Sequence, residues 1–145
     1  MTNNSAVCPD TSVLVKLVLA EEGSDAARAL WGDWAGTGAV PVVPHIARYE
    51  CVSVVWQRQR KGFLGPLEAI EALGELLALP VTVIGPEGLH LDAYRLSVLY
   101  DLPSSYDAHY LALAQALDCE FWTADRRLFN TVAGQFPLIR LLGAA

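Results

Sequence analysis

The sequence predicts an α/β fold: a three-layer α/β/α sandwich whose central parallel sheet has four to five strands, with helices on both faces. Short apolar runs of strand character alternate with longer segments of helical period along the chain. That order builds parallel sheets through helical crossovers. The chain has 145 residues and a hydrophobic fraction of 53%, with a mean hydropathy of +0.32. This is enough for one full core and argues against disorder. No repeat, linker or low-complexity stretch divides the chain, so residues 1–145 read as one domain.

Residues 6–9 read as the first strand. Pro9 pushes Cys8 into an extended conformation and has no N–H for a ladder, so the strand ends there. Asp10, Thr11 and Ser12 supply cap residues for an apolar helix over 13–20. Residues 24–34 have helical period, with Ala27, Leu30, Trp31 and Trp34 on one face. A second strand spans 39–43, although Pro41 weakens its pairing. The helix over 45–61 carries Ile46, Ala47, Glu50, Ser53 and Val54 on one stripe, and Gly62 suits the position after its end. Residues 67–79 form another helix, with Ile70, Leu73, Leu76 and Leu77 inward. A third strand covers 81–84. Pro86 starts a helix that presents Leu89, Ala93, Leu96 and Tyr100. The loop 103–105 can cap a helix over 106–117. A fourth strand at 120–123, a short helix from Asp125 to about Val132 and a weak fifth strand at 138–142 complete the pattern.

Four acids stand where acids are normally excluded. Asp10 and Asp125 follow strands one and four, and in open parallel sheets sites form outside the carboxyl ends of the strands. Glu50 lies on the apolar stripe of its helix, with Ile46 and Val54 one turn either side. Asp107 opens a helix with Tyr110, Leu111 and Ala114 on its own face. Carboxylates carried into a core without partners are costly; they shift their pKa or bind a cation. The three aspartates could each cap a helix, worth about 1 kcal/mol, but Glu50 has no such role. An all-oxygen set favours Mg²⁺ or Mn²⁺ over zinc. His45, His90 and His109 lack zinc-type spacing and read as ordinary polar residues. No glycine-rich phosphate loop is present.

The net charge of −6 argues, taken alone, against a nucleic-acid partner. Two divalent ions on the acids would leave −6 + 4 = −2. Arg58, Arg60 and Lys61 suit a helix C-terminus, and Arg126 and Arg127 a solvated first turn; either cluster could instead contact phosphate. Cys8, Cys51 and Cys119 sit in apolar settings and read as buried thiols of a cytosolic protein. No apolar run reaches the roughly 18 residues that span a bilayer, and residues 1–5 do not begin a leader segment.

The matching order of four stretches ties these residues to a family. They are Pro9-Asp-Thr-Ser-Val-Leu14, Arg48-Tyr-Glu-Cys51, Tyr106-Asp-Ala-His-Tyr-Leu-Ala-Leu-Ala114 and Trp122-Thr-Ala-Asp-Arg-Arg-Leu128. In them the chain resembles PIN-domain nucleases, most closely the VapC-like ribonuclease toxins of type II toxin–antitoxin pairs. The resemblance implies a PIN-like sandwich and a Mg²⁺-dependent endoribonuclease, with Mn²⁺ able to substitute. It implies Asp10, Glu50, Asp107 and Asp125 as catalytic, metal-binding acids, with Thr11 or Ser12 and Thr123 as small hydroxyls beside them. Arg126 and Arg127 would hold phosphates of the RNA substrate. It further implies a cytoplasmic homodimer neutralised by a cognate antitoxin. Trp31, Trp34, Trp56 and Phe63 could supply an exposed patch for such contacts. Two departures from the family pattern, Pro9 and Asp118, do not touch the acids. A phosphatase with Asp10 as nucleophile would want a second Asp two residues on, where Ser12 stands. A binding module with an inert site is the rival from a different class.

Overall fold

The computed structural model describes residues 5–144; the reading of the extreme N-terminus as no leader falls largely on residues 1–4, outside it. Five parallel strands form the sheet: β1 (Ala6–Pro9), β2 (Val40–Val43), β3 (Thr82–Val83), β4 (Glu120–Thr123) and β5 (Ile139–Leu141). Their order is β3-β2-β1-β4-β5. The helices are α1 (Thr11–Val18), α2 (Ser24–Thr37), α3 (Ile46–Arg60), α4 (Pro66–Leu77), α5 (Leu89–Tyr100), α6 (Tyr106–Leu117) and α7 (Arg126–Val132). From β1 the chain moves outward through β2 to β3, then returns past β1 to β4 and β5. Right-handed crossovers therefore place α1–α4 on one face and α5–α7 on the other. The α3–α4 and α5–α6 pairs, and α1 against α2, α3 and α4, pack accordingly. The three-layer architecture is the one the sequence predicts.

The reversal of direction falls between β1 and β4. There the connections leaving the two strands diverge, and a crevice opens at their carboxyl ends. Register locks this point. Val7, Cys8 and Pro9 pair with Glu120, Phe121 and Trp122, and Asp10 N–H donates to the Trp122 carbonyl at 3.0 Å. Beneath it lie Tyr110 and Phe121, fully buried and stacked with ring centroids 5.8 Å apart.

Pro41 is accommodated inside the sheet. Val40 N–H donates to Ser5 O on the β1 side, so the next residue turns its missing N–H the other way. On that side β3 pairs only from Val42↔Thr82 onward, so no ladder bond is lost.

Several sequence expectations change. Helix α1 begins at Thr11 and ends at Val18, because Asp10 is the residue that caps it. β3 is shorter than residues 81–84, and α5 starts at Leu89 rather than Pro86. Ile70 is 63% exposed, and α4 instead buries Ala69, Ala72 and Leu76. On α3 the buried seam is Ala47, Cys51 and Val55; Ser53 is exposed and Glu50 half-buried. Small residues define these seams because α3 and α4 pack closely against each other, leaving larger side chains at the margins. Trp34 is core, edge-on to Trp122, whereas Trp56 and Phe63 are 53% and 73% exposed. Gly62 does follow α3 with φ +83. Asp118, where the family pattern often has Gly, adopts φ 50 at the end of α6, a left-handed conformation that Asp tolerates better than most residues. The three cysteines are buried and free. No helix among the described residues is long and apolar enough to cross a membrane.

Candidate active site

Four elements converge on the crevice between β1 and β4, where a cavity of about 350 Å³ opens. Asp10, Glu50, Asp107 and Asp125 all line it, with Thr11, Ser12 and Tyr110. The four acids differ in burial more than the sequence suggests. Asp10 is only 5% exposed; Glu50 and Asp107 are half-buried, and Asp125 is exposed. Only Asp10 is a core carboxylate, because it alone sits directly at the end of a central strand.

Asp10 is held from three sides. One carboxylate oxygen, Oδ1, accepts from Val13 N–H at 3.3 Å, capping α1, and from the Ser12 hydroxyl. The other, Oδ2, accepts from the Thr123 hydroxyl at 2.6 Å. Burial dominates its acidity: despite these donors the carboxyl is pushed up to about 7, with Asp107 raising it further. Thr123 is fully buried, and its Oγ1 also accepts Asp125 N–H at 3.0 Å. Ser12 Oγ accepts Ala124 N–H at 2.9 Å. Two hydroxyls therefore tie the end of β1 to the end of β4. Asp125 caps α7 by accepting from Leu128 N–H at 3.1 Å.

Glu50 belongs to a second network. Its Oε1 accepts from the Tyr110 hydroxyl at 2.5 Å and from Thr11 Oγ1 at 3.2 Å, and Thr11 and Tyr110 are themselves 3.0 Å apart. Burial and the Glu50 charge hold the Tyr110 phenol well above its ordinary pKa, so it stays a donor. Tyr110 was not among the sequence-predicted site residues, yet its position one turn after Asp107 on the same face was the available signal. Asp107 does not cap α6: Ser105 occupies the cap position and makes no side-chain bond there. Burial, then the Glu50 and Asp125 charges, push the Asp107 carboxyl up to about 6.

The donor set is hard oxygen throughout, the chemistry of Mg²⁺ or Mn²⁺. The crowding that raises Asp10 and Asp107 is the charge a divalent cation would compensate. Among the described residues no three His, Cys, Asp or Glu side chains close on one point tightly enough to grip an ion. The four acids share the cavity. The donors fit such an ion in kind and number.

The cationic and histidine residues are distributed differently. Arg126 and Arg127 are exposed and lie outside the cavity lining, whereas Arg58 and Lys16 line it. Arg60 and Lys61 are exposed at the end of α3. The three histidines gather with Tyr49 around a separate cavity of about 590 Å³. There His90 Nδ1 and His109 Nε2 are 2.9 Å apart, and His109 Nδ1 is 2.7 Å from the Ser105 carbonyl.

Comparison with known proteins agrees with the fold. The family model described as PIN domain matches residues 7–135. A VapC ribonuclease of Mycobacterium bovis and ribonuclease VapC9 of Mycobacterium tuberculosis are each 34% identical over 96 residues, covering 66% of this chain and 73% of theirs. Among solved structures, PAE2754 of Pyrobaculum aerophilum superposes with a TM-score of 0.66 at 21% identity, over 92% of this chain and 90% of that one. M. tuberculosis VapC20, described as a toxin that cleaves the sarcin–ricin loop, gives 0.65 at 20% identity, over 90% and 95%. A toxin–antitoxin complex from Klebsiella pneumoniae gives 0.67 at 17% identity, over 96% and 99%. At these identities the structural matches speak for the fold.

Proposed function

Because the chain belongs to the PIN-domain family, in its VapC-like branch, we propose that it is a metal-dependent endoribonuclease that hydrolyses RNA phosphodiester bonds, the toxin of a toxin–antitoxin pair. The observation that carries this reading is the meeting of Asp10, Glu50, Asp107 and Asp125 in one cavity at the β1/β4 reversal. Bound Mg²⁺, or Mn²⁺ in its place, would supply a Lewis acid that acidifies a water and steadies the leaving 3′ oxygen. The chain's own residues fix where that chemistry happens. Ser12 and Thr123 set the carboxylate plane of Asp10. Thr11 and Tyr110 both bind Oε1 of Glu50, which leaves Oε2 for the cavity. Asp107 on α6 and Asp125 after β4 complete the acidic set, and hydroxyl partners such as Thr11, Ser12, Tyr110 and Thr123 orient metal-binding groups.

The partners proposed with this activity are an RNA substrate, a cognate antitoxin and a second copy of the chain, in the cytoplasm. Apolar side chains left exposed on α3 and α4, Val52, Trp56, Leu67 and Ile70, and on α5, Tyr94, Val98 and Leu99, supply surface for protein partners. Light scattering of the purified chain tests the dimer; a strict monomer at high concentration counts against it. The activity itself is tested with Asp10→Asn. The amide keeps an oxygen for the α1 cap, so the fold stays intact, and cleavage of RNA in Mg²⁺ is expected to disappear. Full nuclease activity in that variant would sink the assignment.

A further inference from the structure

The carboxylate cavity has a second wall that the acids do not explain. Along α3 the half-buried row Ile46, Glu50, Val54 and Arg58 repeats every four residues, so Arg58 stands about 12 Å beyond Glu50 by helical rise. Along α1, Lys16 stands one turn beyond Ser12 in the same way. Both cations line the same cavity as the four acids, and so does Glu21.

Glu21 holds them together. Arg58 contacts one of its oxygens, Oε2, at 2.6 Å, and Lys16 Nζ contacts Oε1 at 3.1 Å. Lys16 also donates to the Glu22 carbonyl at 2.8 Å. Burial alone would raise the Glu21 carboxyl, but Arg58 and Lys16 outweigh it and hold it below its ordinary value. The stem of Lys16 lies over Gly23, where φ is +87 and an added Cβ would come within 3.1 Å of Lys16 Cδ. The lysine is thus fixed by its stem and its head. Two cations against one carboxylate leave a net positive charge, in a chain whose overall charge is −6.

We propose that Lys16 and Arg58, positioned by Glu21, seat a backbone phosphate of the RNA strand one or two nucleotides from the one that is cut. The proposal rests on the ribonuclease reading and adds where the strand runs: from the acids along α1 and α3. Arg58 presents a planar fork suited to phosphate oxygens, and Lys16 a point charge. These are positioning residues; the reacting atoms lie among the acids.

The test measures binding of a fluorescently labelled, single-stranded RNA of randomised sequence across a salt series, with Mg²⁺ present, in the Asp10→Asn background so that the probe stays whole. Arg58→Gln is expected to weaken binding about tenfold and to flatten the slope of log K against log salt by roughly 0.7, one single-strand phosphate contact. Lys16→Gln should act in the same direction, and Arg58→Lys should restore the slope by restoring the charge. Arg28→Gln, at an exposed position of α2, controls for charge loss elsewhere and should change neither quantity. An Arg58→Gln slope equal to that of its parent, even with a lowered melting temperature, would show a helix tie and overturn the seat. The wild-type chain separates the two ideas. If it cuts RNA while the slope is unmoved, the seat alone fails. If it leaves RNA uncut, the ribonuclease reading fails and the seat falls with it.

Discussion

The site has two halves that are built differently. The strand half, Asp10 and Asp125, is tied across the sheet by Ser12 and Thr123, and both acids cap a helix. The helix half, Glu50 and Asp107, is carried on α3 and α6; only Glu50 is tied, to Thr11 and Tyr110, and neither acid caps anything. Backbone N–H groups at a strand end fix a carboxylate to the main chain, whereas a helix-borne acid depends on distant side chains for its orientation. The strand half should therefore be rigid and its perturbation costly in folding. The helix half should be adjustable, and its perturbation should show in activity first.

The largest expected effect is one of pH and falls mainly on Asp10, in the strand half. In the unfolded chain Asp10 titrates near 3.8, in the fold near 7. The native state therefore binds more protons at Asp10 between those values, so this group's contribution to stability is fully present below about pH 4 and is lost as pH rises through about 7. The loss from Asp10 is on the order of 4 kcal/mol, with Asp107 adding in the same direction. Thermal unfolding in EDTA across pH 4 to about 8 should show this fall, and Mg²⁺ should flatten it at the upper end, because the ion binds the ionised acids. Stability that rises with pH in EDTA would contradict the buried, unneutralised Asp10.

The next effect lies wholly in the strand half. Thr123→Val keeps the shape of a fully buried side chain but removes the donor to Asp10 and the acceptor for Asp125 N–H. It should cost about 1–3 kcal/mol and lower activity roughly 10- to 100-fold, read by denaturant unfolding and by RNA cleavage. The smallest effect lies in the helix half. Tyr110→Phe keeps the stack on Phe121 and frees Glu50 from its shorter hydrogen bond. Activity should fall about 10-fold while stability changes by about 1 kcal/mol or less. If Tyr110→Phe proves the more destabilising of the two, the contrast between a rigid and an adjustable half is wrong.

Much of this was legible in the chain. Asp10 and Asp125 could be placed because strand ends and cap residues are local signals: a Pro that stops a strand, and an Asp three residues before a free N–H. Glu50 was legible as an acid on an apolar stripe, although the stripe itself was misassigned at Ser53. The fold class followed from alternation alone. The part of Tyr110 was missed because its partner is 60 residues away; its place one turn after Asp107 marks the face, not which carboxylate the phenol reaches. Ile70 and Trp34 were misplaced for a related reason. Helical period gives a face, but which neighbour covers that face depends on packing between elements.

What the sequence by itself determined is the set of acids, their order and the elements that carry them, since each depends on residues within a turn or a strand. Only the tertiary structure decided which acid is buried, which hydroxyl holds which oxygen, and which cations share the cavity. Arg126 and Arg127 adjoin Asp125 in sequence, yet they project outside; Lys16 and Arg58 are 42 residues apart, 58 − 16, yet both line the same cavity and meet on Glu21. Charge acts through space, and the packing of α1 against α3 on one face of the sheet sets the distances that matter.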